Sequence, residues 1–591
     1  MTNRGFRAVR FRAGAVLLSL TVIAAGCGGT KADDTKSDGA TKADPRVEYK
    51  LTAADGESGL ADAGEPKRGG KLVYGLEDES TNGFCLSDAQ LAISGMMVVR
   101  AFYDTLTQPN AEGTFEPYLA KSVEPNADFT EWTITLRDGI TFHDGTKLDA
   151  TVVKNNLDAY RGKYPARNAL LFAFTLDNIK DVTTTGPMVV KVTTKKPWSN
   201  FPAQLYSSGR MGMMAQSQLD STSCSDKLVG TGPFKFVSWT KNSKLVGEAN
   251  PDYWQTAPDG KPYPYLDSIE FRPINSGEIR NQSIESGSIN IMHTSNGEDI
   301  VGKLRKLRDA GKTNMLVSED FAEVSFFQLN NSKAPFDDPE VRRALAMGSD
   351  RADINNRVNA GLPNLATGPF APDSIAYLKD AGFPQYDLPA AKKAVEALKA
   401  KGKKLDFVLS CTTDPSVVRT AELIQQAAKK LGVNVTLKKM DQATLISRAI
   451  AKDYDAMVFR NYPGGDPDLN YVWWYGKNGD GTGGNPVNFA GFDDPEVNRL
   501  LDEGRSESDP AKRKQIYQDL NRRMATQVFG VWGWYTPWAI VEASNVHGIL
   551  GPPLPGDDPS KAGTVTTDDK AKQPSTGLAT GHSLLGLWIA S

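Results

Sequence analysis

The sequence predicts an α/β protein with a parallel sheet, and the clearest evidence lies in its second half. Leu405, Phe407 and Leu409 alternate with polar residues, as in a β-strand. The next segment carries a helical apolar stripe formed by Val417, Ala421, Ile424, Ala428 and Leu431. Gly432 closes that helix, and a second alternating run begins at Val433. Strand, helix and strand joined by short links form a βαβ unit, whose strands are parallel.

The first half of the chain also mixes strands and helices. Residues 69–76 form an apolar run that predicts the opening strand, and residues 131–137 alternate as a second strand. Asp149 stands where an N-cap is expected, before a helical stripe that includes Val153 and Leu157.

One short motif predicts the starts of two helices. The sequence Phe-Asp-Asp-Pro-Glu-Val occurs at residues 336–341 and again at 492–497. In each copy an aspartate (Asp338, Asp494) can cap the helix, and proline takes the first helical position. Asp509 and the proline after it predict a third start of this kind.

Composition narrows the class of protein. The 591 residues are 40% hydrophobic and 24% charged, which is typical of a globular chain of about three or four domain-sized units. The formal net charge is −3, and no Arg-rich stretch occurs beyond the extreme N-terminus. Nucleic acid is therefore excluded as a partner, because phosphate binding requires clustered cations.

The N-terminus predicts export and a lipid anchor. Four arginines precede the apolar run at residues 13–25, which would span roughly 20 Å as a helix, short of a bilayer core. Residues 1–26 are therefore a predicted signal peptide. Ala24-Ala25-Gly26 before Cys27 resembles a bacterial lipoprotein cleavage box, although leucine is usual where Ala24 stands. We expect Cys27 to be lipidated, and ordinary cleavage nearby is the alternative.

Residues 27–68 predict a flexible tether. This segment is rich in Gly, Ala, Asp, Lys, Ser and Thr and has almost no large apolar residue. Such a composition cannot bury enough surface to order itself. The predicted protein is thus held at the extracytoplasmic face of a bacterial cell membrane.

The remaining cysteines predict one disulfide. Cys85 and Cys224 lie in polar, loop-like contexts, and disulfides persist outside the cytoplasm. Cys411 ends an apolar strand and is expected to be a buried free thiol. No Cys or His spacing predicts a metal site.

Six segments together resemble the peptide- and nickel-type solute-binding proteins of bacterial ABC importers, family 5. They are WTITLRDGITFHDGTKLDATVV, VGTGPFKFVSW, NPDYW, LNNSKAPFDDPEVRRALAMGSDRADI, KKLGVNVTLKKM and DYDAMVFRNYPGGDPDLNY. They occur in family order between about residues 70 and 550, and their combination is specific even though each alone is weak.

The resemblance implies a bilobal periplasmic-binding-protein-like fold, type II or cluster C, with an extra domain inserted in the first lobe. Lobe I is expected at residues 69–105, 228–322 and 540–575, the insert at 106–227 and lobe II at 323–539. Residues 576–591 are left as a C-terminal tail, for which packing on the body or on the membrane face is open. The lobes are expected to close on a ligand held between them.

The resemblance also implies a cleft around the loop at residues 464–468. Some peptide-binding members place a carboxylate a few residues before this Asp-Pro-Asp to hold the ammonium group of the peptide, but this chain has Tyr462 and Pro463 there. Asp466 is expected either to bind the ligand instead or to cap the next helix. The predicted substrate-binding residues are Glu77, Phe84, Arg460, Tyr462, Asp466, Trp474, Trp534 and Trp538.

The resemblance therefore predicts a monomeric lipoprotein that captures a small solute, an oligopeptide or dipeptide first of all. Its partners would be the solute, the membrane and the permease subunits with their cytoplasmic ATPases, and no cofactor is implied. The same fold binding an oligosaccharide, nickel or haem, or acting as a peptide-sensing receptor, stays open. An enzyme is not expected, because no Gly-x-Ser-x-Gly, P-loop or HExxH motif occurs.

Overall fold

The computed structural model describes residues 50–60, 64–80, 83–89, 91–169, 171–462, 464–476, 485–556, 573–575 and 583–590. They belong to one compact unit, Val47–Ser591. Cys27 and the predicted signal peptide lie outside the described residues. The mixed α/β class predicted from the sequence is confirmed.

A single ten-stranded sheet runs through the unit. In spatial order its strands are β14 (Val435–Met440), β13 (Phe407–Thr412), β15 (Ala456–Asn461), β12 (Thr313–Leu329), β16 (Gly530–Ala543), β11 (Ile291–Thr294), β1 (Lys71–Leu76), β10 (Ser268–Pro273), β9 (Lys244–Ala249) and β8 (Phe234–Thr240). Strand β1 is parallel to β10 and β11, and β13 is parallel to β14 and β15. The other pairs are antiparallel, so the predicted parallel pairing holds in two blocks of a mixed sheet.

The two long strands β12 and β16 join these blocks. Their antiparallel register is interrupted between Ser318 and Glu323, whose partners on β16 are Trp538 and Thr536. Four residues of β12 therefore face one residue of β16, Pro537, which has no N–H to offer a ladder. A bulge of this kind bends a strand, so the sheet changes direction at this crossing.

Helices cover the block that contains β13 to β15. They are α10 (Pro339–Gly348), α11 (Arg351–Asn359), α12 (Leu388–Ala400), α13 (Pro415–Lys430), α14 (Gln442–Ile450), α15 (Tyr471–Trp474), α16 (Pro495–Ser506) and α17 (Pro510–Gln527). The predicted βαβ unit is confirmed as β13, α13 and β14. Gly432 follows α13 at φ +74°, a conformation that favours glycine. Cys411 is a buried free thiol, as predicted.

The predicted helix starts are confirmed. Asp338 accepts a hydrogen bond from the backbone N–H of Glu340, Asp494 accepts from Glu496 and Val497, and Asp509 caps α17 in the same way. Each of these helices has proline in its first turn, where the missing N–H costs nothing.

The other block carries α2 (Ile93–Phe102), α7 (Gly277–Glu285), α8 (Gly297–Asp299) and α9 (Arg305–Asp309). A separate four-stranded antiparallel sheet contains β4 (Ala120–Pro125), β5 (Glu131–Leu136), β7 (Val189–Thr194) and β6 (Ile179–Gly186). Around it lie the hairpin β2 (Thr107–Pro109) and β3 (Phe115–Pro117), with α3 (Ala150–Tyr160), α4 (Ala173–Leu176), α5 (Phe201–Tyr206) and α6 (Gln216–Leu219). All of these elements fall within the expected insert at residues 106–227, and Asp149 caps α3 as predicted.

The disulfide is the predicted one. Cys85 and Cys224 are bonded across 139 residues of sequence. The bond ties the segment after β1 to the end of the insert.

The predicted tether is too long at its C-terminal end. Residues 50–60 include α1 (Ala53–Glu57), and the Asp55 side chain is fully buried. Asp55 accepts hydrogen bonds from Arg305, at 2.6 Å, and from Arg308. Composition alone did not predict this docking, because it depends on the distant arginines that pair with Asp55 and on the packing of the single residue Leu51 against an apolar cluster.

The apolar C-terminal end packs on the body. Strand β18 (Trp588–Ile589) pairs with β17 (Val546–His547) in an antiparallel bridge. Leu587 is fully buried, and Trp588 lies in a cluster with Tyr253, Tyr263 and Tyr265. Of the two alternatives left open, packing on the body is the one observed. Among the described residues, none of the helices has both the length and the apolar character needed to span a bilayer.

Candidate functional site: the junction between the two blocks of the sheet

An ionic cluster joins the two blocks of the sheet. Glu77 follows the end of β1, and Arg460 lies in β15, four strands away in the sheet order. Even so, Arg460 Nη2 is 3.3 Å from Glu77 Oε2. Strands lie about 4.8 Å apart, so a flat sheet would separate these residues far more widely. The bend at β12 and β16 therefore brings the two blocks face to face here.

Arg460 has partners on both sides of this junction. Its Nη1 donates to Ser295 Oγ at 2.7 Å, at the end of β11, and its Nε lies 3.3 Å from Glu323 Oε2 in β12. Its guanidinium also lies 5.2 Å from the ring centroid of Trp538. The Arg460 side chain is 40% exposed, whereas Glu77 and Glu323 are 16% and 7% exposed, so solvent reaches the cluster at its arginine.

The two carboxylates of this cluster, Glu77 and Glu323, have pKa values that are shifted in opposite directions. Burial alone would raise the pKa of Glu77, but Arg280 and Arg460 outweigh it and hold that pKa at about 2. Arg280 Nη2 lies 3.4 Å from Glu77 Oε1, and the Ser295 N–H donates to the same oxygen at 3.0 Å. Burial raises the pKa of Glu323, with Arg460 offsetting only part of that effect.

The buried His293 contacts this cluster through the backbone of Glu77. The backbone N–H of Glu77 donates to His293 Nε2 at 3.0 Å, and the imidazole stacks on Trp538 at 5.2 Å. Burial lowers the pKa of His293 to about 4, so the ring is neutral and can accept this hydrogen bond. His293 thus positions Glu77.

A second ionic cluster, which we call the Asp-Pro-Asp knot, consists of Asp466, Asp468, Arg505 and Arg513. Asp466 accepts a bidentate pair from Arg513, at 2.6 and 2.8 Å. Arg505 Nε donates to Asp468 Oδ1 at 2.8 Å. Bidentate pairing is strong and geometrically demanding, so these contacts fix the loop.

The insert docks on this knot. Asn200 donates to Asp466 Oδ2 at 2.6 Å, and the Trp198 indole N–H donates to Asp468 Oδ2 at 2.7 Å. The Arg505 guanidinium lies between two rings, 4.3 Å from Trp198 and 3.6 Å from Tyr471. Both aspartates therefore use their oxygens within the protein.

The structure distributes the eight predicted binding residues unevenly. Glu77, Arg460 and Trp538 come together in the junction cluster. Asp466 caps the short helix Pro467–Asn470, which is the alternative stated for it, and its carboxylate is engaged in the knot. The others are buried: Phe84 packs edge-to-face on Trp239 at 5.0 Å, Trp474 packs on Trp532 at 5.8 Å, and Trp534 and Tyr462 are 7% and 5% exposed.

Sequence reasoning missed several members of the junction, including Glu323, Ser295, His293 and Arg280. Ser295 follows directly on a strand end, which is a usable signal. Glu323 carries no such sequence signal, because its position depends on the bulge in β12. Among the described residues, no group of three or more His, Cys, Asp or Glu side chains could hold a metal ion.

A small pocket lies where the insert meets the block that carries α2. Its volume is about 80 Å³, and it is lined by Arg100, Tyr206 and Gln255 and by the C-terminal residues 552–554. Tyr206 also lines a narrow gap that contains Tyr462 and Ser208. Residues of both blocks and of the insert therefore meet around Tyr206.

Comparison with known proteins agrees with this architecture. Residues 114–483 match the family model described as bacterial extracellular solute-binding proteins, family 5 Middle. The chain therefore belongs to family 5 of the bacterial extracellular solute-binding proteins, the family of ABC-importer proteins that it resembles by sequence.

Two curated relatives and one solved structure illustrate the likeness. The chain is 26% identical over 468 residues to the probable D,D-dipeptide-binding periplasmic protein DdpA of Escherichia coli, covering 76% of this chain and 86% of DdpA. It is 25% identical over 535 residues to the oligopeptide-binding protein OppA of Bacillus subtilis, covering 85% and 95%. The structure of DppA from Helicobacter pylori in complex with the peptide STSA aligns with a TM-score of 0.74 at 20% identity, covering 89% of this chain and 99% of DppA. The predicted bilobal fold is confirmed.

Proposed function

We propose that this protein captures a short peptide at the junction between the two blocks of the sheet and delivers it to an ABC permease. The observation that carries the proposal is the junction cluster, where Glu77 and Ser295 of one block meet Arg460 of the other at hydrogen-bond distance. Family membership supports it, and the relatives named above are dipeptide- and oligopeptide-binding proteins.

The two blocks correspond to the expected lobes, joined by β12 and β16. We place the hinge at the interruption between Ser318 and Glu323, because four residues there lack a regular ladder partner. Closure would exclude water from the junction and strengthen hydrogen bonds to a bound solute. Bound peptide should raise the melting temperature by mass action. At a free peptide concentration a hundredfold above Kd, the free energy of unfolding should increase by about 2.7 kcal/mol.

A thermal-shift screen tests this function. We expect di- and tripeptides to raise the melting temperature, while oligosaccharides and nickel salts leave it unchanged. A shift with oligosaccharides or nickel and none with peptides would contradict the peptide assignment. The absence of any shift would contradict solute capture.

The anchor is a separate part of the proposal. Cys27 follows a short apolar run and small residues, which favours lipidation and retention at the membrane. We expect Cys27→Ser to move the protein from the membrane fraction to the soluble extracytoplasmic fraction, measured by immunoblot. Cys411→Ser is the matched control and should leave the distribution unchanged. Membrane retention of the Cys27 variant would refute the lipid anchor.

A further inference from the structure

The N-terminal segment at residues 50–60 is held on the body by one buried carboxylate. Asp55 is fully buried, and Arg305 donates to both of its oxygens, at 3.1 and 2.6 Å. Arg308 donates to the same carboxylate. Burial alone would raise the pKa of Asp55, but Arg305 and the hydrogen bonds from Thr52 outweigh it and lower that pKa. Asp55 is therefore charged and paired while the segment is docked.

The docked segment covers an open edge of the large sheet. From Thr313 to Ser318, strand β12 pairs with β16 on one side, whereas β15 pairs with β12 only from Val324 onward. The backbone N–H of Met315 donates to Ser58 Oγ at 3.1 Å instead of to a strand. An uncovered strand edge presents unpaired N–H and C=O groups, so the segment satisfies a group that the sheet itself does not pair.

Close packing reinforces this docking. Leu51 packs against the apolar cluster that contains Leu307 and Met315. Gly59 has φ +80°, and a Cβ at this position would lie 2.8 Å from Asn314 Cβ. The position requires glycine, because a side chain would strain the backbone and clash with β12.

These contacts lie on one side of the proposed hinge. Arg305 belongs to α9, and Asn314 and Met315 lie in β12 before its register with β16 is interrupted at Ser318. This part of the chain falls within residues 228–322, which the family resemblance assigns to lobe I.

Docking shortens the chain that can act as a tether. There are 22 residues between Cys27 and Lys50, and 40 between Cys27 and Arg68, whose guanidinium pairs with Asp259 at 2.6 Å. A flexible chain of these two lengths has a root-mean-square reach of about 26 Å and about 35 Å, respectively. The state of residues 50–60 thus decides how far the body can move from an anchor at Cys27.

We propose that residues 50–60, which we call the strap, fasten the membrane tether to lobe I and so hold the body close to the membrane. This rests on the lipid anchor proposed at Cys27 and adds the point on the body at which the tether is fixed. The anchor then acts on lobe I, and lobe II can close without pulling on the tether.

Tryptic cleavage of the mature lipoprotein in detergent tests the docking. The carbonyl oxygen of Lys50 accepts a hydrogen bond from Arg305 Nη2 at 2.8 Å, so trypsin can reach the Lys50–Leu51 bond only when the strap opens. Cleavage then follows the population of the open form. We expect Asp55→Asn and Arg305→Gln each to speed cleavage after Lys50 by roughly tenfold or more, measured by mass spectrometry.

Two neighbouring substitutions are the matched controls. Glu57 is an exposed residue of the strap helix, and Lys306 is an exposed residue of α9. Neither side chain forms an ion pair within the described part of the chain. Glu57→Gln and Lys306→Gln should therefore leave the rate of cleavage after Lys50 at the wild-type value.

Energy transfer to the membrane tests the tether length. The mature lipoprotein is reconstituted in vesicles that contain a dansyl-labelled lipid, and the transfer from the tryptophans of the body to this lipid is measured. We expect Asp55→Asn and Arg305→Gln to lower the transfer roughly twofold, because the longer tether lets the body move away from the surface. Both control variants should keep the wild-type transfer.

Equal cleavage after Lys50 in the wild type and in both strap variants would overturn the docking. Faster cleavage in the strap variants together with unchanged energy transfer would overturn the role of the strap in setting the tether length. A wild type that does not stay with the vesicles would instead contradict the lipid anchor at Cys27, and with it the tether that the strap shortens.

Discussion

The junction cluster and the Asp-Pro-Asp knot use the same chemistry to different ends. Both pair arginine with carboxylates and place an aromatic ring against a guanidinium. In the knot, Arg505 and Asp468 are 4% and 2% exposed, and each aspartate binds both an arginine and the insert. In the junction, Arg460 is 40% exposed, while Glu77 and Glu323 are 16% and 7% exposed. A cluster whose carboxylates are all paired away from water supports structure, whereas a cluster whose arginine is open to solvent can meet a solute.

The largest expected effect comes from breaking the knot. Arg513→Gln would leave Asp466 buried with Asn200 as its remaining side-chain donor. Removing one partner of a buried ion pair typically costs about 3–5 kcal/mol, because the other charge is left uncompensated. We expect a loss of that size in the free energy of unfolding, measured by urea titration.

The surface offers a control for that experiment. Arg499 pairs with Glu496 and Glu503, but all three side chains are nearly half exposed. Arg499→Gln should therefore leave the free energy of unfolding close to the wild-type value. Similar losses for both variants would show that burial does not distinguish the knot from a surface pair.

Glu77 in the junction cluster should contribute to the free energy of unfolding in a way that depends on pH. Its folded-state pKa is about 2, below the ordinary 4.5. A carboxyl with a depressed pKa contributes stability above its unfolded pKa and loses it as pH falls through the folded value. We expect Glu77→Gln to cost roughly 2–3 kcal/mol at pH 7 and almost nothing near pH 2, by denaturant unfolding at each pH. A cost independent of pH would contradict the ionic role of Glu77.

Glu542, a buried carboxylate that forms no ion pair among the described residues, should show the opposite dependence of stability on pH. Glu542 is 2% exposed, one oxygen receives only a long hydrogen bond from Asn314, at 3.5 Å, and burial raises its pKa to about 8. Because its folded pKa is raised, its contribution to stability falls as pH rises from about 4.5 to about 8. Glu542→Gln should therefore stabilise by about 1–2 kcal/mol at pH 9 and by little at pH 4.5.

Melting curves across pH for wild type and Glu542→Gln would measure this difference. Asn314→Ala is a useful companion, because it removes the side-chain donor that Glu542 has among the described residues and should destabilise the protein most at high pH. Curves that stay parallel from pH 4.5 to pH 9 would show that Glu542 does not titrate in this range.

Local patterns were enough to predict many individual elements. Asp338, Asp494 and Asp509 cap their helices as expected, because capping depends on residues within one turn. The βαβ unit around α13 followed from periodicity alone, and the Cys85–Cys224 pair from sequence context. The helix caps and the βαβ unit are encoded by neighbours in the chain, whereas the disulfide joins residues 139 positions apart and was predicted from the polar context of each cysteine.

The composition of the cleft depended on tertiary structure. Asp466 and Trp474 looked like ligand contacts, yet Asp466 is held by Arg513 and Asn200, and Trp474 packs on Trp532. No local pattern reveals such partners, since they come from distant parts of the sequence. Glu323 was overlooked for the same reason, because its place beside Arg460 depends on the interrupted register of β12 and β16.

The sequence by itself determined the α/β class, the helix starts and the resemblance to family 5, because these depend on periodicity, capping and ordered motifs, and the polar context of the cysteines predicted the disulfide. The tertiary structure decided which charged side chains are paired in the interior and which stay accessible to solvent. The ladder between β12 and β16 is interrupted opposite Pro537, and Glu77 meets Arg460 although their strands are far apart in the sheet order. Long-range packing sets the balance of charge at a junction, and that balance separates the knot from the site.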